Sequence, residues 1–341
     1  MPKNNIKFSI IIIAYNRKDY IYKAFLSAFN QNYPRDDYEI IVVSNFINDE
    51  ISKVTKINPN FIKIILTDKM GYGEKLKEGI NTARGEYICF LEDDDMFTEN
   101  KILLLNNIIL KEKNIGIIKN YCDLIDSMGN NIELKSNMGG LIGLAEPLNY
   151  YNIKYKNKYG YSIIDEYQDK YSDFIGAFAN TSSLTILKSI IEKYLKKLDH
   201  IMISTESFIL TVSVVENKKC VITESILTRY RIHNKNTSIN QRGTKELYFL
   251  LYESNDFLIS ASIANNIGYR NSLKVISARL YIIYIYKYYK LNGFWKSLKF
   301  LKKRLILDVG YAVFGQPEER IFKLPITTFM KLIKSKSSQT E

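Results

Sequence analysis

The sequence has 341 residues, of which 46% are hydrophobic and 25% charged, so it can bury a sizeable core and is not typical of a disordered chain. Its formal charge of +12 favours an anionic partner, such as a lipid surface, nucleic acid or a phosphate-bearing substrate. The three cysteines lie far apart and indicate neither a zinc site nor a disulfide framework, which is consistent with a reducing cytosol. The apolar runs Phe8–Ala14 and Leu280–Tyr286 are too short for a signal peptide or a membrane span, so we expect no transmembrane helix.

Strand and helix patterns alternate over the first part of the chain. Apolar runs typical of strands buried on both faces predict strands at Phe8–Ala14, Glu39–Val43, Ile62–Leu66 and Glu86–Leu91. Apolar residues at helical spacing predict helices at Asp19–Asn30, Gly73–Thr82 and Ile102–Lys113. This alternation predicts an α/β fold with a mostly parallel, doubly wound sheet, whose ligands bind at the carboxyl ends of the strands.

The second half is predicted to be mixed and then helical. Residues 120–175 show little periodicity and are expected to be rich in loops. Helices are predicted at Leu184–Leu198 and Glu206–Val215, with short strands at Cys220–Thr223 and Ile226–Arg229. From about residue 244 the pattern is helical. We therefore predict an α/β domain over residues 1–240 and a basic helical C-terminal region over residues 241–341.

Four consecutive acids, Glu92-Asp93-Asp94-Asp95, directly follow the fourth predicted strand. Adjacent carboxylates repel one another unless solvent or a cation screens them. Mg²⁺ and Mn²⁺ prefer oxygen ligands, often one or two carboxylates together with substrate phosphates, and such an ion neutralises the charge that develops on a diphosphate leaving group. The position and the residue types therefore favour a metal–diphosphate site, and the alternative is a solvated acidic turn.

Three segments in the same order and spacing resemble the family 2 glycosyltransferases. They are FSIIIIAYNR at 8–17, EIIVV at 39–43 and GYGEKLKEGINTARGEYICFLEDDD at 71–95. The resemblance implies a GT-A fold with a C-terminal helical extension, and an inverting transfer of a sugar from a nucleotide-sugar donor with Mg²⁺ or Mn²⁺. Among the acids, it implies that Asp94 holds the metal with Asp95 beside it, and that Glu92 and Asp93 belong to the nucleotide-sugar site.

The same resemblance assigns nucleotide contacts to residues that follow the first two strands. Ala14, Tyr15, Asn16 and Arg17 match the family's P-T-Y-N-R segment; for Arg17 the alternative is a solvated surface position. Ser44 and Asn45 stand where the family has two aspartates, the first of which commonly contacts the base. Both can still hydrogen-bond a base edge, but their neutrality leaves the identity of the base open.

Three further residues have both a functional and a structural interpretation. Lys75 replaces part of a family A-R-N segment and is expected to meet the diphosphate, unless it lies on a solvated helix face. The resemblance places Glu206 as the general base, whereas a glutamate in the first turn of a helix is also favoured by the helix dipole. His233, in the segment YRIH, is expected at the metal or phosphate, and the alternative is a structural histidine.

The acceptor side is less specific. The resemblance implies a saccharide or lipid-linked acceptor. From Lys287 onward there are 12 Lys/Arg against 4 Asp/Glu, and Phe294, Leu298, Leu301 and Leu305 share one helical face amid basic residues. This pattern predicts peripheral contact with an anionic membrane from the cytoplasmic side; the alternative is a helix packed on the domain. A nucleotidyltransferase or a non-catalytic sugar- or nucleic-acid-binding protein remains an alternative function, and nucleic acid is not the expected partner.

Overall fold

The computed structural model describes residues 6–138, 140–150, 160–164, 175–236 and 243–292. Two compact units can be distinguished in it, one within Met1–Asn240 and Asn255–Ile276, the other within Gln241–Ser254 and Ser277–Glu341. The predicted domain boundary at residue 240 stays a prediction. The predicted basic helix around residues 294–305 lies outside the described residues.

The described residues contain nine strands, all in one sheet. They are β1 Phe8–Ala14, β2 Tyr38–Ser44, β3 Ile62–Leu66, β4 Tyr87–Glu92, β5 Met96–Phe97, β6 Ile115–Ile125, β7 Tyr161–Ile164, β8 Leu184–Leu187 and β9 Lys219–Arg231. Their order is β3-β2-β1-β4-β8-β6-β9-β5, with β7 paired to β9.

The sheet has a parallel half and a mixed half. β1 pairs in parallel with β2 and β4, and β2 pairs in parallel with β3. β8 runs antiparallel between β4 and β6, and β9 runs parallel to β6 but antiparallel to β5 and β7. The predicted α/β fold with a mostly parallel, doubly wound sheet is confirmed, and the antiparallel pairs are confined to its second half.

Helices connect the strands and continue beyond them. The α-helices are α1 Ile21–Phe29, α2 Asp49–Ile57, α3 Tyr72–Thr82, α4 Lys101–Lys111, α5 Gly140–Ala145, α6 Pro147–Tyr150, α7 Lys188–Ile191, α8 Leu195–Leu198, α9 Thr205–Val215, α10 Thr244–Ile263 and α11 Ile267–Asn292. Short 3₁₀ helices occupy Arg35–Asp37, Ser136–Met138, Ile175–Phe178, Thr181–Ser183 and Glu192–Tyr194. The predicted C-terminal helices are thus present in α10 and α11. None of the helices in the described ranges has the length and apolarity needed to span a bilayer.

The core explains why the central strands are apolar throughout. Every residue of β1 and β2 is buried, because helices cover both faces of the parallel half. The inner face of α1 packs on this sheet through Ile21, Ala24 and Phe25. This buried scaffold holds the carboxyl ends of β1, β2 and β4 in fixed positions, and the candidate site lies there.

Three sequence-based predictions were wrong in detail. The apolar segment Leu184–Leu198 is not one helix: it begins as β8, which pairs between β4 and β6, and continues as three short helical segments. The segment 120–175 does not begin as a loop, since β6 extends to Ile125. The two short strands predicted after α9 form a single strand, β9, with register shifts against β6 near Asn120 and Tyr121.

Candidate functional site

The parallel register brings the predicted site residues to one edge of the sheet. Ala14, the last residue of β1, pairs with Ser44, the last residue of β2. On the other side of β1, Ile13 pairs with Glu92 at the end of β4. The segments that follow these strands therefore meet, as expected of parallel strands.

The acidic segment lies inside the protein. Asp93, Asp94 and Asp95 are 2%, 3% and 0% exposed, and Glu92 is partly buried. One carboxylate oxygen from each of Glu92, Asp94 and Asp95 lies within 4.8 Å of the other two. A solvated acidic turn would leave these side chains in water, so the burial rules out that interpretation.

Arg17 provides a counter-charge to this segment. Its Nη1 lies 2.7 Å from Asp94 Oδ2, and its Nη2 donates a hydrogen bond to Asp93 Oδ1. Arg17 is thus not a solvated surface residue, because both ends of its guanidinium contact buried carboxylates. These ion pairs of Arg17 reach two of the four acids, Asp93 and Asp94.

The end of β9 holds the acids from the opposite side. Arg231 donates from its backbone N to Asp95 Oδ1 at 2.9 Å and from Nε to the carbonyl of Asp94 at 2.8 Å. His233 Nε2 lies 2.9 Å from Asp94 Oδ2, and the ring of Tyr20 packs against His233 at 5.1 Å. The Tyr-Arg-x-His segment, distant in sequence, therefore builds part of the acidic site.

Burial raises the pKa values of Glu92, Asp93 and Asp95. Burial raises the pKa of Asp95 to about 8, assisted by the charge of Asp94. It also raises the pKa of Glu92, and it raises that of Asp93 to about 6 against the opposing effect of Arg17. These shifts reflect carboxyl groups that are desolvated and crowded together, which a bound cation would oppose.

The residues present fit a hard divalent cation. The candidate ligands are carboxylate oxygens, which Mg²⁺ and Mn²⁺ prefer. Among the described residues, the buried atoms Asp93 Oδ2 and Asp95 Oδ2 have no hydrogen-bond partner. Buried oxygens normally have a hydrogen-bond partner or a ligand, and a bound ion would supply one here.

The predicted nucleotide residues lie next to these acids. Asn16, with φ of 58°, donates its backbone N–H to Asn45 Oδ1 at 2.9 Å, and Asn45 Nδ2 donates back to Asn16 Oδ1 at 2.7 Å. Ser44 Oγ donates to the carbonyl of Phe46 at 2.6 Å. The ends of β1 and β2 are thereby tied together, and Asn45 retains one amide hydrogen for another acceptor.

Lys75 lies on α3 but is not on a solvated face. Its side chain is 4% exposed, its Nζ donates to the carbonyl of Met70 at 3.0 Å, and it lies 4.2 Å from the centre of the Tyr15 ring. Burial lowers the pKa of Lys75 to about 8. Lys75 therefore lies beside Tyr15, one of the predicted nucleotide contacts, and it forms no direct ion pair with the four acids.

Glu206 lies in the first turn of α9, as predicted, and is partly buried. Burial raises its pKa, opposed in part by a hydrogen bond from the side chain of Thr181. Thr181 also lies beside Tyr72, whose hydroxyl donates to Glu92 Oε1 at 3.4 Å. Glu206 is thus linked to the acidic segment through two side chains.

Sequence reasoning missed Tyr72, Thr181 and their neighbour Ser182. Ser182 Oγ accepts a hydrogen bond from the backbone N of Glu92 at 3.0 Å, and its carbonyl accepts one from the buried Lys101 at 2.7 Å. Tyr72 could have been suspected because it lies between Gly71 and Gly73, at the start of α3. The Thr181–Ser183 segment carries no local signal, since its role depends on contacts with residues distant in sequence.

Comparisons with known proteins agree with this geometry. The model of the family described as Glycosyl transferase family 2 matches residues 9–179. An uncharacterized glycosyltransferase of Rickettsia typhi is 34% identical over 126 residues, or 36% of this chain and 39% of that protein. The poly(ribitol-phosphate) beta-glucosyltransferase of Bacillus spizizenii is 34% identical over 103 residues, or 29% of this chain and 16% of that protein. The matched segments thus span well under half of these relatives.

Solved structures resemble the chain over a greater length. TarS 1–349 of S. aureus in complex with UDP-GlcNAc has a TM-score of 0.53 at 13% identity, covering 84% of this chain and 75% of that one. The mannosyltransferase PcManGT from Pyrobaculum calidifontis, in complex with GDP-Man and Mn²⁺, has a TM-score of 0.52 at 12% identity, covering 90% and 82%. At these identities the likeness concerns the fold.

Proposed function

Since the chain belongs to glycosyl transferase family 2, we propose that it transfers a sugar from a nucleotide-sugar donor to a hydroxyl of a saccharide or lipid-linked acceptor, with inversion at the anomeric carbon. The observation that carries this proposal is the meeting of Glu92, Asp94 and Asp95 at the carboxyl ends of the parallel strands. A second observation supports it: Glu206 is connected to the same cluster through Thr181 and Tyr72.

The donor is proposed to lie over the ends of β1, β2 and β4. Ala14, Tyr15, Asn16, Ser44 and Asn45 would hold the nucleoside, with Glu92 and Asp93 beside it. Among the relatives, one structure contains UDP-GlcNAc and another GDP-Man, so both kinds of base belong in a test.

The diphosphate is proposed to lie against Arg17 and Lys75. The planar guanidinium of Arg17 suits phosphate oxygens, and its two Nη atoms, which contact Asp93 and Asp94, hold it beside the proposed metal ligands. Mg²⁺ or Mn²⁺, held by Asp94 and Asp95 with His233 alongside, would supply charge neutralisation for the departing diphosphate. His233 also keeps the Asp94 carboxylate in place through its 2.9 Å contact.

Glu206 is proposed to be the general base. In the reaction the acceptor oxygen bonds to the anomeric carbon, the bond from that carbon to the diphosphate oxygen breaks, and the acceptor proton passes to the Glu206 carboxylate. A pKa raised by burial makes this carboxylate a better proton acceptor than an ordinary glutamate.

Donor screening tests the proposal. The protein is incubated with UDP- and GDP-linked sugars in the presence of Mn²⁺, with and without a panel of saccharide acceptors, and release of the nucleoside diphosphate is measured. We expect release from at least one donor and its stimulation by an acceptor. A protein that neither binds nor consumes any donor would contradict the proposed function.

Peripheral membrane contact is a separate part of the proposal, resting on the basic sequence from Lys287 onward. Flotation with liposomes containing anionic lipid compares the full chain with a chain ending at residue 292. We expect the full chain to float and the shortened one to remain in the pellet fraction. Equal flotation of the two would contradict membrane contact by this segment.

A further inference from the structure

A buried carboxylate from α10 holds the segment that leads into α9. Asp256 is 0% exposed. Its Oδ2 accepts hydrogen bonds from the backbone N of Ile203 at 2.7 Å and of Ser204 at 2.8 Å, and its Oδ1 accepts one from Met202 N at 3.0 Å. One side chain thus satisfies three consecutive backbone donors.

These donors belong to the entrance of the helix that carries Glu206. The first N–H groups of a helix and of the turn before it have no intrahelical partner. Ser204, the N-cap residue of α9, makes no side-chain capping bond. Asp256 accepts instead from the N–H groups of the turn that leads into α9, and a negative charge near that end of α9 also suits the helix dipole.

The same segment is held from its other side by α3. The backbone N of Gly73 donates to the carbonyl of Ile201 at 3.0 Å. A Cβ on Gly73 would lie only 1.9 Å from the carbonyl oxygen of Leu198, so the approach of the two backbones requires glycine here. The preceding residue, Tyr72, reaches Glu92. The entrance to α9 is therefore fixed relative to the acidic cluster.

We propose that Asp256 is a positioning residue for sugar transfer, which fixes the first turn of α9 so that Glu206 meets the acceptor hydroxyl bound beside the donor. The proposal rests on the proposed function, in which Glu206 is the base. Asp256 lies beyond the segment matched by the family model, which ends at residue 179. A displacement of a reacting group by about 1 Å can lower a rate about 100-fold, so loss of this anchor is expected to act on catalysis more than on donor binding.

The test compares Asp256→Asn with Tyr269→Phe. Asparagine has one acceptor oxygen and a donating NH₂, so it cannot accept from all three backbone N–H groups. Tyr269→Phe removes the buried hydrogen bond between Tyr269 and Thr211, which lies in the middle of the same α9. The control therefore weakens the packing of α9 without touching its entrance.

Three quantities are measured for each variant: amide hydrogen exchange at Met202–Ser204, the Kd for UDP and GDP with Mn²⁺, and kcat for transfer with the donor found by screening. For Asp256→Asn we expect faster exchange, a Kd within about 2-fold of the wild type, and a kcat lowered about 10- to 100-fold. For Tyr269→Phe we expect kcat to stay within about 3-fold. If Asp256→Asn does not fold, Asp256→Glu, which keeps the charge on a longer arm, is expected to lower kcat with unchanged Kd.

A double variant separates this proposal from the function on which it rests. If Asp256 acts through Glu206, the double variant with Asp256→Asn and Glu206→Gln should have the same kcat as Glu206→Gln alone. A wild-type kcat in Asp256→Asn, or a loss of kcat equal to that of Tyr269→Phe, would overturn the positioning role of Asp256. In that case a lowered kcat in Glu206→Gln would still support Glu206 as the base. An unimpaired Glu206→Gln would instead overturn the base assignment and, with it, this proposal.

Discussion

The guanidinium of Arg17 lies against the carboxylate of Asp94, with Nη1 2.7 Å from Oδ2. The same carboxylate oxygen lies 2.9 Å from His233 Nε2. Residues from the end of β1, the end of β4 and the end of β9 therefore converge on one atom. This convergence defines where the diphosphate of a donor would lie in the proposed function.

Arg17→Ala is expected to weaken binding of UDP or GDP in the presence of Mn²⁺ by about 10- to 100-fold, because a hydrogen bond to a charged group contributes about 1.5–3 kcal/mol. Calorimetric titration measures the change. Lys18→Ala is a matched control: it removes the same charge one residue along the chain, from a side chain that lies over the Phe46 ring. Equal effects of the two substitutions would show that only net charge matters, contrary to the assigned role of Arg17.

The acidic cluster could be predicted because its position follows from local rules. Apolar strands that alternate with helices predict a parallel sheet, so the residues that follow the strands meet at one edge of the sheet. The roles of Arg17 and Glu92 were predicted from the resemblance to the family 2 glycosyltransferases as well. The link between Glu92 and Glu206 could not be predicted, because Tyr72 and Thr181 are more than 100 residues apart in sequence and come together only in the folded chain.

Glu206→Gln is expected to lower kcat for transfer by about 10²- to 10⁴-fold, the usual contribution of a general base, while the donor Kd stays within about 2-fold. Glutamine keeps the shape of the side chain but cannot accept the acceptor proton. Glu216→Gln, at the opposite end of α9 where Glu216 pairs with Lys193, serves as the control. A Glu206→Gln enzyme with wild-type kcat would require another base.

The errors of the sequence analysis also have physical causes. The spacing of Leu184, Ile186 and Leu187 fits a strand as well as a helix. They form a strand because the segment pairs with β4 on one side and with β6 on the other. β6 was missed because Lys119 and Asn120 interrupt its apolar pattern. Both are 0% exposed, and Lys119 Nζ donates to the carbonyl of Ala179 at 2.7 Å, a partner that the local sequence does not reveal.

The buried amine of Lys101 makes the free energy of unfolding depend on pH. Burial lowers its pKa to about 7, and its Nζ donates to the carbonyl of Ser182 and, at 3.0 Å, to Thr228 Oγ1. Between about pH 7 and pH 10 the unfolded chain keeps the lysine proton whereas the folded protein does not, so the free energy of unfolding rises with pH across this window. Below about pH 7 the amine is charged in the folded protein as well, so the cost of burying the charge lowers the free energy of unfolding in full.

Lys101→Met removes this titration. Relative to that variant, the free energy of unfolding of the wild type is expected to rise by about 2 kcal/mol between pH 6.5 and pH 9. Urea denaturation at the two pH values measures it, and Lys53→Met, an exposed lysine on α2, is the control. A difference between wild type and Lys101→Met that does not change with pH would contradict a neutral buried amine.

The most direct test of the central claim is the binding of UDP and GDP to the wild type and to Asp94→Asn, each with and without Mn²⁺, using Asp49→Asn on α2 as an exposed control. If the acidic cluster holds the cation that receives the donor diphosphate, Mn²⁺ should tighten binding of one nucleotide to the wild type and to Asp49→Asn by about 10-fold or more, or about 1.4 kcal/mol. Asp94→Asn should lose this dependence. Binding that is the same with and without Mn²⁺, or a Mn²⁺ effect that persists in Asp94→Asn, would contradict the account.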